Sequence, residues 1–244
     1  MSGHSKWHNI RVKKEKVDAK RGKVFTRISK EIMLAVKESG PDPDTNFRLA
    51  TIIQKAKEVN MPNANIQRAI DSASGELSGE GIEEVVYEGY GPFGVAIFIE
   101  VATDNKNRTV PEIRNIFGKY GGALGESGCV AWMFDRKGLI MIDASVAGEE
   151  EIFEIALEAG AEDIEKEGNA YRITTAFEDF YEVKKALQEK KISMESADIT
   201  MIPQNEITLN KSQAQTIMKL MEFLEEHDDV QNVFANFDIP DDDG

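Results

Sequence analysis

Beyond the first fifteen residues, the apolar positions of the N-terminal segment recur with a helical period. Val17, Val24, Phe25, Ile28, Ile32 and Val36 share one side of a helix that advances about 100° per residue. Lys16, Lys20, Lys23, Arg27 and Lys30 fall within about 40° of a common line on another side, a cationic stripe beside an apolar seam. Gly22 costs roughly 1 kcal/mol against alanine inside a helix, so the regular helix is expected from near Lys23, with Met1 to Arg21 partly mobile. The Gly-Pro break in "SGPDP", residues 39–43, ends it. A second helix is predicted in "TNFRLATIIQKAKEV" from the spacing of Phe47, Ala50, Ile53 and Ala56. A third starts at an Asn63 cap and buries Ile66, Ala69 and Ile70. Together they make an all-helical domain over residues 1–75, and "SGELSGEG" after it reads as a linker.

The period then shifts toward two. "EEVVYEGYGPFGVAIFIEVATD" predicts two strands around a Gly/Pro-rich turn. "TVPEIRNIFGKYGG" predicts a helix, with Thr109 and Glu112 at capping-box spacing and Gly121 as a stop. "CVAWMFD" predicts a strand. Residues 139–202 follow the order strand, helix, strand, strand, helix, strand, the split-βαβ signature of a ferredoxin-like unit. "SQAQTIMKLMEFLEEHD" is then a helix, "VQNVFANFDI" a strand and "PDDDG" a fraying tail. The class expected is α+β in three domains: the three-helix domain over 1–75, an α+β domain from 82–137 and 204–240, and an acidic ferredoxin-like α+β domain over 138–203 inserted into it.

Charge sharpens this partition. The chain of 244 residues carries −15 overall, yet residues 1–74 carry +7, followed by −4 over 75–137, −10 over 138–203 and −8 over 204–244. The first thirty residues hold ten Lys/Arg against two acids. A basic module on an acidic body suits phosphate, because the acidic part is repelled from a polyanion and restricts contact to one side. The longest apolar stretch, "GVAIFIEVA", is short and interrupted by Glu100, so no membrane partner is expected, and the N-terminus lacks the apolar run of a secretory signal. The one cysteine, Cys129, cannot form an internal disulfide, which fits a reducing cytoplasm. No sustained heptad seam is present, so a monomer is expected.

"GHSKWHNI", "DAKRGKVFTRISKEI", "NMPNANIQRAI", "YEGYGPFGVAIFIEVATDNKNRT" and "GGALGESGCVAWMFDRKG" together resemble the YebC family over essentially the whole chain. The resemblance implies an N-terminal helical domain and two α+β domains, one inserted in the other. It also implies a role in gene expression: bacterial members are described as transcriptional regulators, and a mitochondrial branch activates translation. Three features depart from the family pattern. Phe93 stands where the turn commonly has glycine, Cys129 where serine is common, and "PNAN" where "PKDN" is usual.

The candidates for phosphate contact are Lys6, Arg11, Lys13, Lys14, Lys16, Lys20, Arg21, Lys23, Arg27 and Lys30, extended by Lys55, Lys57 and Arg68, with Trp7 suited to stack on a base. The competing reading is a helix face that pairs with the protein's own acidic domains. Gly89, Tyr90, Gly91, Pro92, Phe93 and Gly94 lack the spacing of a dinucleotide fingerprint and the ending of a P-loop. They read as a tight turn, which in a gene-expression factor can also probe RNA or a ribosomal surface. Asn105, Lys106, Asn107 and Arg108 suit either a polar ligand or a capped turn. His4 and His8 have i, i+4 spacing without a third ligand, so neither metal nor cofactor is expected. Cys129 is expected as a small core residue on a strand.

No constellation for nucleophilic or acid–base catalysis stands out. The expectation is a non-enzymatic nucleic-acid-binding regulator of gene expression, and first a DNA-binding transcriptional regulator. Against base reading, "NANIQRAID" offers only Asn65, Gln67 and Arg68. One alternative, which the resemblance implies, is a ribosome-associated translation factor that binds rRNA and relieves stalling on proline runs. The other is an acidic scaffold for protein partners.

Overall fold

The computed structural model describes residues 21–75 and 81–239. The readings placed on Lys6, Trp7, Arg11, Lys13, Lys14, Lys16, Lys20, His4 and His8, on most of the linker and on the tail lie outside the described residues. The chain divides into two compact units, one ending at Trp132 and resuming at Asn205, the other Met133–Gln204.

In chain order, the first unit opens with α1 (Arg21–Ser39), α2 (Phe47–Glu58) and α3 (Asn63–Ser74). Their core joins Ile28, Ile32, Ala35 and Val36 of α1 to Leu49, Ile52 and Ala56 of α2 and Ile66, Ala69 and Ile70 of α3. Gly22 lies within the helix rather than before it. Phe47, expected in the core, is 62% exposed. Ala56 is buried and Ile53 packs half-buried against the core as read from spacing, but Leu49 and Ile52 fill the place read for Phe47. Asn46 fixes that choice: its side chain accepts from the Leu49 N–H and donates to the carbonyls of Ala35 and Gly40, both at 2.7 Å. Asn63 is not a cap; Pro62 holds that position and Asn63 is the first helical residue.

Next come β1 (Glu83–Tyr90), β2 (Ala96–Thr103), α4 (Lys106–Lys119) and β3 (Ala123–Leu124). The second unit follows with β4 (Phe134–Asp143), α5 (Glu149–Glu158), β5 (Ala161–Glu167), β6 (Ala170–Ala176), α6 (Phe180–Glu189) and β7 (Ser196–Pro203). The first unit resumes with β8 (Ile207–Thr208), α7 (Lys211–Glu225), β9 (Val230–Ala235) and β10 (Phe237–Asp238). No helix among the described residues is long and apolar enough to cross a membrane.

The body of the first unit is an antiparallel sheet in the order β3-β1-β2-β9, with Val85 opposite Val101 and Ile97 opposite Ala235. Val95 and the alternating Ile97, Ile99 and Val101 of β2 bury against Ile113 and Phe117 of α4 and Ile217, Leu220, Met221 and Leu224 of α7. Asn210 and Gln213 form a reciprocal capping box at the start of α7. The second unit is an antiparallel sheet in the order β5-β6-β4-β7 with α5 and α6, a ferredoxin-like α+β unit around Ile140, Ile142, Ile152, Ile173, Val183 and Leu187. Its two ends meet: the Gln204 N–H donates to the Met133 carbonyl at 2.8 Å, and Phe134 lies opposite Pro203. "CVAWMFD" is not a strand of its own. Ala131–Met133 form a 3₁₀ turn, and β4 begins only at Phe134 and runs unbroken to Asp143.

Candidate nucleic-acid interface

The cationic side of α1 does not face open solvent. Lys23 Nζ donates to the Glu226 carbonyl at 2.5 Å, and Arg27 donates to the Glu225 carbonyl. Lys30 Nζ donates to the Asp228 carbonyl at 2.8 Å and to the Asp229 carboxylate at 2.6 Å. These acceptors are the end of α7 and the loop behind it, where carbonyls lack intrahelical partners and the negative end of the helix dipole attracts cations. Three stripe residues assigned to phosphate are therefore engaged by the protein's own acidic portion. Arg21 continues the same helix. Lys55 and Lys57 are exposed in the last turn of α2, with Lys55 3.9 Å from Glu31. Arg68 is exposed on α3 and donates to Asn65, while Gln67 donates to Asp71, so the candidate base readers are bonded along their own helix.

Asp229, which sequence alone did not single out, is the hub beside the stripe. It is 3% exposed and accepts from Lys30, from Arg108 at 2.8 Å and from the Thr109 hydroxyl at 2.7 Å. Burial raises its carboxyl, but the hydrogen bonds from Arg108, Lys30 and Thr109 outweigh burial and hold it well below the usual carboxylate range. The Asp229 N–H donates to Nδ1 of His227, whose Nε2 lies 2.8 Å from Glu112, so the neutral ring carries its proton on Nε2. α4 begins at Lys106 with Asn105 as its cap, accepting from the Arg108 N–H at 3.1 Å. Thr109 is thus a buried ligand of Asp229 rather than a cap. Of the polar cluster read at 105–108, Asn105 caps the helix, Lys106 pairs with Glu83 at 2.5 Å, and Arg108 bridges Asp104 and Asp229. The acid immediately ahead of the apolar Val230, in "HDDV", was the available sequence signal for this hub.

The glycine-rich run closes the β1–β2 hairpin, with the Gly91 N–H donating to the Val95 carbonyl at 2.8 Å. Gly89 and Gly91 are buried; a Cβ on Gly89 would sit 2.5 Å from the Ala123 carbonyl oxygen. Pro92, Phe93 and Gly94 form a 3₁₀ turn in which Phe93 has φ of 65° and Gly94 of 78°. A left-handed conformation costs a non-glycine residue about 1 kcal/mol. Phe93 is 47% exposed, so Phe93→Gly is expected to raise stability by about 0.5 kcal/mol after the entropy of the freer unfolded chain is counted. A urea titration checks this; a lower midpoint would mean that the ring's packing outweighs the strain.

Behind that turn, Glu88 is a buried carboxylate that accepts three backbone N–H groups, from Gly128 at 2.7 Å, Val130 at 2.8 Å and Ala131 at 2.7 Å. Cys129 sits in this wrapped segment, not in a strand core, and is half-buried. Burial and the neighbouring Glu88 push its thiol up, away from thiolate chemistry. The Cys129 carbonyl accepts from the hydroxyl of Tyr90 and the indole of Trp132, each at 3.2 Å. Trp132 is 64% exposed, so an aromatic pair stands at the surface on a fixed backbone.

Two family models match: residues 5–76 match the N-terminal domain of TACO1/YebC proteins, and residues 82–237 match their second and third domains. A protein of Natranaerobius thermophilus named "Probable transcriptional regulatory protein" is 55% identical over 99% of this chain and 98% of its own length. A protein of Dictyoglomus thermophilum with the same name is 53% identical, over 99% of this chain and 97% of its own. The crystal structure of a conserved hypothetical protein from Aquifex aeolicus is similar with a TM-score of 0.83 at 48% identity, covering 93% of this chain and 94% of that one.

Proposed function

We propose, on the premise that the chain belongs to the TACO1/YebC family, that it is a non-enzymatic nucleic-acid-binding regulator of gene expression, acting on DNA as a transcriptional regulator in the cytoplasm. The observation that carries this reading is the segregation of charge, +7 over residues 1–74 in a chain of −15. The relatives named as transcriptional regulatory proteins support the regulatory role. Lys6, Arg11, Lys13, Lys14, Lys16, Lys20 and Arg21, with Lys55, Lys57 and Arg68, supply phosphate contacts beyond the three docked cations, and Trp7 stacks on a base. Such contacts release counterions and position the protein without reading sequence. The acidic remainder keeps the polyanion to one side.

Replacing Lys13, Lys14, Lys16 and Lys20 together by glutamine is expected to weaken binding to duplex DNA. The slope of log affinity against log salt should become shallower by about 3.6, from roughly 0.9 for each phosphate that is no longer neutralised. An unchanged slope would remove these residues from the interface.

The bonded state of Gln67 and Arg68 on α3 favours a second reading, in which the basic surface follows the rRNA backbone of a ribosomal particle. Sedimentation of a lysate beside a chromatin pull-down decides between the two. Co-migration with ribosomal particles that disappears on deleting residues 1–30 identifies a translation factor. Enrichment at discrete promoters identifies the DNA regulator, and function that survives the deletion identifies an acidic scaffold.

A further inference from the structure

The helical module and the sheet body keep separate cores, and the module supplies cations to the contact between them. Lys23, Arg27 and Lys30 reach the end of α7, Lys37 donates to the Ile82 carbonyl at 3.3 Å, and Arg48 lies 3.4 Å from Glu84. The apolar part of this contact is small: Leu34 and Met33 of α1 meet Ile82 and Ala102. An attachment of this kind is sensitive to ions, whereas a large apolar interface is not. At its edge lies a shallow surface depression lined by Lys23, Thr26, Arg27, His227 and Asp228. A phosphate oxygen is a stronger acceptor for Lys and Arg than a carbonyl oxygen, because it is charged.

We propose that the docking of α1 on the end of α7 is a self-inhibitory latch. Lys23, Arg27 and Lys30 alternate between acceptors on the body and phosphates of a nucleic acid, so that binding through α1 releases the helical module. The latch rests on the nucleic-acid reading above. Its parts are unequal: Lys30 meets a carboxylate as well as a carbonyl, while Lys23 and Arg27 meet carbonyls. Lys23 and Arg27 therefore exchange first and Lys30 last.

The test closes the latch covalently. In a Cys129→Ser background, Thr26→Cys and Asp228→Cys are joined across the depression by a short bis-maleimide, and a duplex DNA oligonucleotide is the probe. Closure is expected to weaken binding about tenfold and to make the salt slope shallower by about 2.7, from roughly 0.9 for each of the three cations withheld. Equal affinity and slope in closed and open forms would overturn the latch. Fluorescent labels at Ser72→Cys and Asn115→Cys, in the same background, give the second readout: their separation should grow when the oligonucleotide binds. Binding without a change in separation overturns the latch and leaves the nucleic-acid reading standing. Failure of both forms to bind at low salt removes the nucleic-acid reading and the latch with it.

Discussion

Asp229→Ala is expected to cost about 3 kcal/mol of stability. The substitution strands two cations and two hydroxyls around an empty acceptor site: Lys30, Arg108, Thr109 and, at 3.3 Å, Thr103. Removing one partner of a buried ion pair typically costs about 3–5 kcal/mol. The loss falls at the lower end because the Arg108 side chain is 45% exposed and can turn to water. Asp229→Asn keeps the shape and one acceptor and should cost about half as much. A urea titration of each variant measures this.

The pH dependence follows from the sign of the shift. The folded carboxyl lies below its unfolded value. Its contribution is therefore complete above about pH 4 and is lost as pH falls below that toward the folded value. The alanine variant should show a flatter acid limb of stability than the parent. Identical limbs would assign acid sensitivity to other carboxylates.

Glu88→Ala is expected to lose a comparable amount, about 3 kcal/mol, by a different route. Among the described residues no cation pairs with it. Three amides at Gly128, Val130 and Ala131 donate to one carboxylate, and an unmet buried donor costs about 1–3 kcal/mol. Gly128 is exposed and recovers part of its bond from water, while Val130 is fully buried and does not. Hydrogen exchange at Val130 and Ala131 should accelerate well before global unfolding. In a Trp7→Phe background the emission of Trp132 should report the same loosening, because its indole is held by the Cys129 carbonyl. Retained amide protection in the variant would show that the turn stands without the carboxylate.

These two acids show what the sequence exposes and what it conceals. The strand–helix order of residues 139–202 is legible because each element has its own period and its own breaks, and such signals are local. Glu88 carries no local mark, and Asp229 only its place immediately ahead of the apolar Val230. Glu88 bonds residues forty or more positions away, and Asp229 bonds Arg108 across 121 positions. By composition both resemble the many solvated acids around them. The misread strand at 129–135 has the same origin. Its aromatic and apolar residues suit a sheet, but Glu88 had already taken the amides of Val130 and Ala131, which a ladder would need. The cationic stripe is subtler. Helical spacing identifies Lys23, Arg27 and Lys30 as neighbours, yet a face is defined by what it meets, and that partner lies about two hundred residues later.

The hydrogen bond between Met133 and Gln204 bears on how freely the segment between them can be changed. An insert whose ends are one bond apart asks its host for no more room than a tight turn would occupy. Such a segment can be lengthened, exchanged or deleted while the sheet it interrupts keeps its strand order. A version with residues 133–204 replaced by a short glycine-rich turn should therefore keep the β3-β1-β2-β9 sheet intact.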